Sequence, residues 1–102
     1  MTEWVKVSQV GDPPAGEVKV VRARELRIAL ANVEGEYYAV DDLCTHDGGP
    51  LDQGDVFDYE IECPRHGARF DIRSGKPLCL PAILPVKTYP VRVEGDEVQI
   101  EL

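Results

Sequence analysis

Apolar and polar positions alternate along several short stretches of the chain. Trp4 to Val7, Glu17 to Val21, Leu26 to Ala31, Tyr37 to Val40 and Val86 to Val93 carry β-branched or aromatic residues in partial alternation, the period of a half-buried strand. Glu97 to Leu102 alternates without a break. Glu34-Gly35 and Glu94-Gly95-Asp96 interrupt the pattern where a hairpin turn needs the positive φ that glycine supplies. Leu26 to Ala31 is also compatible with a helix by propensity, but the turn after it and the partner strand beyond favour a strand. Eight prolines and nine glycines leave little room for a long helix. The pattern predicts an all-β protein built on an antiparallel framework.

From about Asp42 to Pro85 the pattern changes. Gly48-Gly49-Pro50, Gly54, Pro64, Gly67, Gly75, Pro77, Pro81 and Pro85 make this part loop-rich. It is expected to be a small subdomain, residues 42–85, set on the framework within a single domain, residues 1–102. A domain of this size buries roughly 60–70% of its unfolded surface, enough for a core without disulfides. No apolar run approaches the ~18 residues that cross a bilayer. The N-terminal M-T-E-W-V-K-V-S-Q-V has neither a basic segment nor an apolar one, so a cytoplasmic location is expected. Three cysteines cannot all pair with one another, and in such a chain they read as metal ligands or free thiols.

The formal net charge is −8, and it is unevenly placed. Between Ile28 and Pro64 there is no Lys or Arg, while Glu34, Glu36, Asp41, Asp42, Asp47, Asp52, Asp55, Asp58, Glu60 and Glu62 all fall there. Such a surface repels phosphates and argues against nucleic acid. It suits either a solvated face or a docking face for a basic partner.

One short echo carries chemistry. Cys44-Thr45-His46-Asp47-Gly48 and Cys63-Pro64-Arg65-His66-Gly67 each run Cys, spacer, His, Gly. Both histidines of the chain and two of its three cysteines are used. Two such loops face to face would bring four ligands to one point. Thiolate with imidazole suits zinc or an iron–sulfur cluster. Gly48, Gly49 and Gly67 permit tight turns and would let backbone N–H groups approach sulfur, which stabilises charge gained on reduction. A one-residue gap between Cys44 and His46 is shorter than the usual zinc spacing of about two to four.

The paired motif resembles that of Rieske iron–sulfur proteins. The resemblance extends through Pro50-Leu51, Phe70-Asp71, Gly75-Lys76-Pro77 and Tyr89-Pro90-Val91, covering most of the chain. It implies one [2Fe-2S] cluster, with Cys44 and Cys63 on one iron and His46 and His66 on the other. It also implies an all-β fold whose two ligand loops cap the cluster, with a third loop near Leu80-Pro81-Ala82 shielding it. Respiratory members are similar but add a cysteine to each loop. Gly49 and Arg65 stand at those positions here, so that disulfide cannot form, and Ala68 stands where they carry a serine. No membrane anchor is seen either. These departures point to the soluble ferredoxins of multicomponent oxygenases. They also imply a reduction potential at the low end for the family.

No histidines remain for a second, catalytic iron, so a carrier is expected rather than an enzyme. Its expected partners are a flavin-type reductase and a terminal oxygenase, docking through basic patches. Two other readings are a small subunit of a nitrite reductase-type enzyme and a zinc-stabilised interaction module. Cys79 is expected to be a small, partly buried thiol without a redox role. Trp4, Tyr37, Tyr38, Tyr59 and Tyr89 are expected in the core. Arg65, Arg69, Arg73 and Lys76 read as surface charge or partner contacts.

Overall fold

The computed structural model describes residues 3–43, 49–51, 54–64, 67–79 and 84–102. Among them there is no helix, and eleven strands form three antiparallel sheets. The first sheet, in the order β1-β11-β10, joins β1 (Trp4–Gln9), β11 (Glu97–Glu101) and β10 (Val91–Glu94). The central sheet has the order β2-β3-β4-β9, from β2 (Val18–Ala23), β3 (Leu26–Val33), β4 (Glu36–Asp41) and β9 (Thr88–Tyr89). The small sheet has the order β5-β6-β7-β8, from β5 (Val56–Phe57), β6 (Glu60–Glu62), β7 (Arg69–Asp71) and β8 (Pro77–Cys79). The all-β expectation is borne out.

The central sheet is the shared layer. Alternation along β3 sends Ala29, Ala31 and Val33 into one core, with Leu51, Ile61, Cys63, Phe70 and Ile72 from the small sheet and its loops. Ile28 and Leu30 point the other way, into a second core with Val98 and Ile100 of β11. From Ile28 onward β3 is buried on both faces and so loses the apolar–polar alternation, and the pairing of its neighbours overrides the helix propensity of Leu26 to Ala31.

The β3–β4 hairpin turns through Glu34 (φ 53°) and Gly35 (φ 90°), with Val33 paired to Glu36. Positive φ at both positions matches the twist of the flanking strands, as the dipeptide predicted. The expected strand from Val86 to Val93 is instead two strands in different sheets. Pro90 separates them: it has no N–H to give a ladder, although its carbonyl still accepts from the Glu101 N–H at 3.0 Å. The segment read as loop-rich holds all four strands of the small sheet, each of two or three residues.

The aromatics are less buried than expected. Tyr89 is in the core at 7% exposure, whereas Trp4, Tyr37, Tyr38 and Tyr59 are half-buried at its rims. Their polar ends explain this. The Tyr37 hydroxyl accepts from the Gly11 N–H at 2.6 Å, and the Tyr38 hydroxyl donates to Glu36 at 2.7 Å. Arg92 lies over the Trp4 ring at 4.4 Å and Arg73 over that of Tyr59 at 4.2 Å.

Candidate metal centre

The second Cys–His loop is the turn of the β6–β7 hairpin. Ile61 faces Phe70 and Glu62 faces Arg69 in register, so the chain must reverse between Cys63 and Ala68. The Cys63 N–H donates to the Ala68 carbonyl at 2.7 Å, and the Gly67 N–H donates to the Cys63 carbonyl at 3.1 Å. Gly67 sits at φ 74°, a conformation L side chains rarely adopt. Alternation along β6 puts Ile61 and Cys63 on the inner face and Glu62 outside, where Arg69 meets it at 2.8 Å. Cys63 is fully buried, in the core that also contains Leu51 and Ala68.

The first loop leaves β4 through Asp42 and Leu43. Asp42 is the one buried carboxylate among the described residues; one oxygen accepts the Leu51 N–H at 2.7 Å, and the other meets Arg27 at 2.9 Å. Past Leu51 the chain runs close to the second loop. A Cβ on Gly54 would stand 1.8 Å from the Glu62 carbonyl oxygen, so only glycine fits there. The described ends of the two loops therefore share one core and one line of backbone contact.

Cys44, His46 and His66 lie outside the described residues, as do Arg65, Asp47, Asp52 and the third loop at Leu80, Pro81 and Ala82. Among the described residues no group of three or more His, Cys, Asp or Glu gathers. Cys63 alone tests the fit. It is a thiol without access to water, at the base of a tight glycine turn and among apolar side chains. Such a dry shell suits a thiolate ligand of a metal whose potential the protein controls. Cys79 is corrected: it is exposed, on β8 at the edge of the small sheet among the described residues, and its Sγ lies 3.6 Å from the Gly67 carbonyl.

Neither Asp42 nor Gly54 stood out in the sequence as a residue that shapes this region. Asp42 looked like one of ten acids, and Gly54 like one of many loop glycines. Most described acids of that stretch turn out to have internal partners. Glu36 takes Tyr38, Asp41 takes the Tyr89 hydroxyl at 2.5 Å, and Glu60 and Glu62 face Arg69. Arg73 is held by Asp71 at 3.0 Å, and that guanidinium keeps the Asp71 carboxyl below its usual range.

The Rieske [2Fe-2S] domain profile matches residues 3–90 of the chain. The chain belongs to the Rieske [2Fe-2S] domain family. It is 44% identical over 103 residues to the ferredoxin component of the naphthalene 1,2-dioxygenase system of Pseudomonas aeruginosa, covering 100% of this chain and 99% of that one. Among solved structures it superposes on the Sphingomonas yanoikuyae B1 ferredoxin with a TM-score of 0.92 at 37% identity, covering 98% and 99% of the two chains. It also matches a chain of the complex of reduced oxygenase and oxidized ferredoxin in carbazole 1,9a-dioxygenase, with a TM-score of 0.89 and 33% identity over 95% and 91%. This Rieske ferredoxin is an electron carrier of the kind that serves dioxygenase systems, not itself the catalyst. The zinc-module reading falls with the family, and these relatives favour the carrier over a nitrite reductase subunit. A Rieske domain implies a [2Fe-2S] cofactor. No helix of the described residues is long and apolar enough to cross a membrane.

Proposed function

We propose that Cys44, His46, Cys63 and His66 hold one [2Fe-2S] cluster per chain. In this reading the chain is a single domain, residues 1–102, with its cluster-binding part at about 42–85. It takes electrons from a flavin-type reductase and delivers them to a terminal oxygenase in the cytoplasm. The observation that carries the reading is the buried Cys63 at the base of the β6–β7 turn, sharing its core with the tail of the other Cys–His loop. When bound, the cluster supplies a one-electron couple. The protein's own residues hold it: Ala68 and Gly67 fix the Cys63 backbone, and Leu51, Ile61 and Phe70 keep water from the thiol side. The test is iron and acid-labile sulfide analysis. Two of each per chain is expected, and one zinc without sulfide overturns the assignment.

Two finer points belong to the same reading. With Ala68 in the turn there is no hydroxyl to bond a sulfide, so the potential falls at the low end of the Rieske range of about −150 to +300 mV. Redox titration above roughly +100 mV refutes this. The partners present basic docking patches. Asp42, Glu60 and Glu62 are offset by arginines, so steering falls to exposed Glu34, Glu36, Asp55 and Asp58, together with Asp47 and Asp52. Stopped-flow rates with the true partner should drop between about 20 mM and 500 mM salt, and an unchanged rate would leave these acids a solubility device.

A further inference from the structure

We infer that Asp42 is a positioning residue for the first ligand loop, its carboxylate clamping the two ends of that loop against the core that contains Cys63. The inference rests on the reading that Cys44 and His46 are ligands. Asp42 and Leu51 stand on either side of them. The Asp42 side chain is fully buried, and so is Leu51, so the Leu51 N–H has no water to turn to and takes an Asp42 oxygen at 2.7 Å. The second carboxylate oxygen receives Arg27 at 2.9 Å, and the Asp42 N–H donates to the Arg27 carbonyl at 3.1 Å. The carboxylate thus ties the start of the loop to its end, and both to the start of β3.

Stability alone does not call for a buried carboxylate here. Burying charge is costly, and apolar residues of similar volume often serve the fold as well or better. What the carboxylate adds is a fixed loop span. It accepts a backbone N–H that no apolar side chain could satisfy, and so holds Leu51 to Asp42 through a bond that needs no metal. Its neighbour Asp41 reaches the opposite way, to the Tyr89 hydroxyl and, through its N–H, to the Lys87 carbonyl at 2.9 Å. The last turn of chain before Cys44 is therefore anchored on both faces. Leu51 then carries the clamp into the core of Cys63 and Ala68.

The experiment compares iron release to a chelator, visible circular dichroism and amide exchange at Leu51 in wild type, Asp42→Ala, Asp42→Asn and Arg27→Ala. Asp42→Ala should release iron and exchange the Leu51 amide roughly tenfold faster or more, the size expected for an unpaired buried N–H. Asp42→Asn keeps a carbonyl oxygen for that N–H and should stay within about threefold of wild type with the same spectrum. An Asp42→Ala protein that holds iron like wild type overturns the proposal, and so does an Asp42→Asn protein no better than Asp42→Ala. If Asp42→Ala does not fold, Arg27→Ala decides. It loosens the clamp without removing the acceptor, so faster Leu51 exchange supports the role and unchanged exchange refutes it. Exchange at Leu51 is read in the apoprotein as well. A wild type lacking iron and sulfide would thus refute the ligand assignment while leaving the clamp to be judged by its own measurement.

Discussion

The framework sheets and the small sheet are both antiparallel, yet they are held by different means. In the framework, long hairpins zip together: β2, β3 and β4 pair over many consecutive residues, and their side chains fill two cores. The small sheet has strands of two or three residues and depends on single close approaches. Gly54 lies against the Glu62 carbonyl. A Cβ on Gly75 would stand 2.0 Å from the Val86 carbonyl oxygen, and Asp42 clamps Leu51. Redundant pairing tolerates the loss of one contact. A part built on singular contacts holds its loops in place only while each contact survives.

The sharpest way to break this contrast is to crowd one close approach and hollow one core. Gly54→Ala drives a methyl into backbone, which cannot swing aside as a side chain can. We expect a stability loss of about 3 kcal/mol, the upper part of the range for overpacking, with lowered iron content in the protein that remains folded. Leu30→Ala removes a fully buried side chain from the framework core and should also cost about 3 kcal/mol. Its iron content and visible spectrum should match wild type below the unfolding transition. Denaturant titration alongside iron analysis checks both. If Leu30→Ala bleaches as readily as Gly54→Ala, the two regions are not separate in the way argued.

Alkaline pH probes the framework through Tyr89. Burial, and then the bond to Asp41, raise the Tyr89 hydroxyl above the ordinary tyrosine value of 10.0. Its neutral form is thus favoured in the fold. The stability from this group is complete below pH 10 and declines as pH rises toward the folded value, by up to about 1.4 kcal/mol per pH unit. Tyr38 is pushed up to about 12 by its bond to Glu36 and by partial burial, but it sits near the surface where solvent weakens the effect. Tyr89→Phe should therefore flatten the alkaline decline in melting temperature more than Tyr38→Phe. Equal flattening would show that burial at Tyr89 does not set the slope.

The same contrast explains what could be read from the chain. Glu34-Gly35 and the strand at Glu97 declared themselves because their chemistry is local: turn residues at a turn, alternation on a half-buried face. Cys44, His46, Cys63 and His66 stood out because thiolate and imidazole in a doubled motif have few other uses. The strands β5 to β8 are too short to show a period. The β2–β3 turn, Arg24-Glu25, holds Arg24 at φ 58° without a glycine to announce it. Asp42, Gly54 and Gly75 act on backbone atoms of residues eight to eleven positions away, at Leu51, Glu62 and Val86. No local pattern encodes such a meeting, since it depends on where the folded loops pass one another.

The smallest effect offers the cleanest comparison, because two glycines share one strain and differ only in place. Gly95 turns the β10–β11 hairpin at φ 61°, and Gly67 turns the second Cys–His loop at φ 74°. A Cβ would meet nothing within 4 Å at either position, so alanine brings conformational strain and no clash. Each substitution should cost about 1 kcal/mol, the lower end for a left-handed L residue. Gly95→Ala should stop there, its hairpin still zipped from Val91 to Ile100, with potential and visible spectrum unchanged. Gly67→Ala acts where the Gly67 N–H closes the turn onto the Cys63 carbonyl, next to Cys63 itself and with only the short β6–β7 ladder beyond it to absorb a shift. The strain there should appear as an altered visible circular dichroism and a displaced reduction potential, at the same loss of melting temperature. If the two variants prove alike in both stability and spectrum, the ligand turn is as well buttressed as the framework hairpin, and the close approaches at Gly54 and Gly75 are not what holds it.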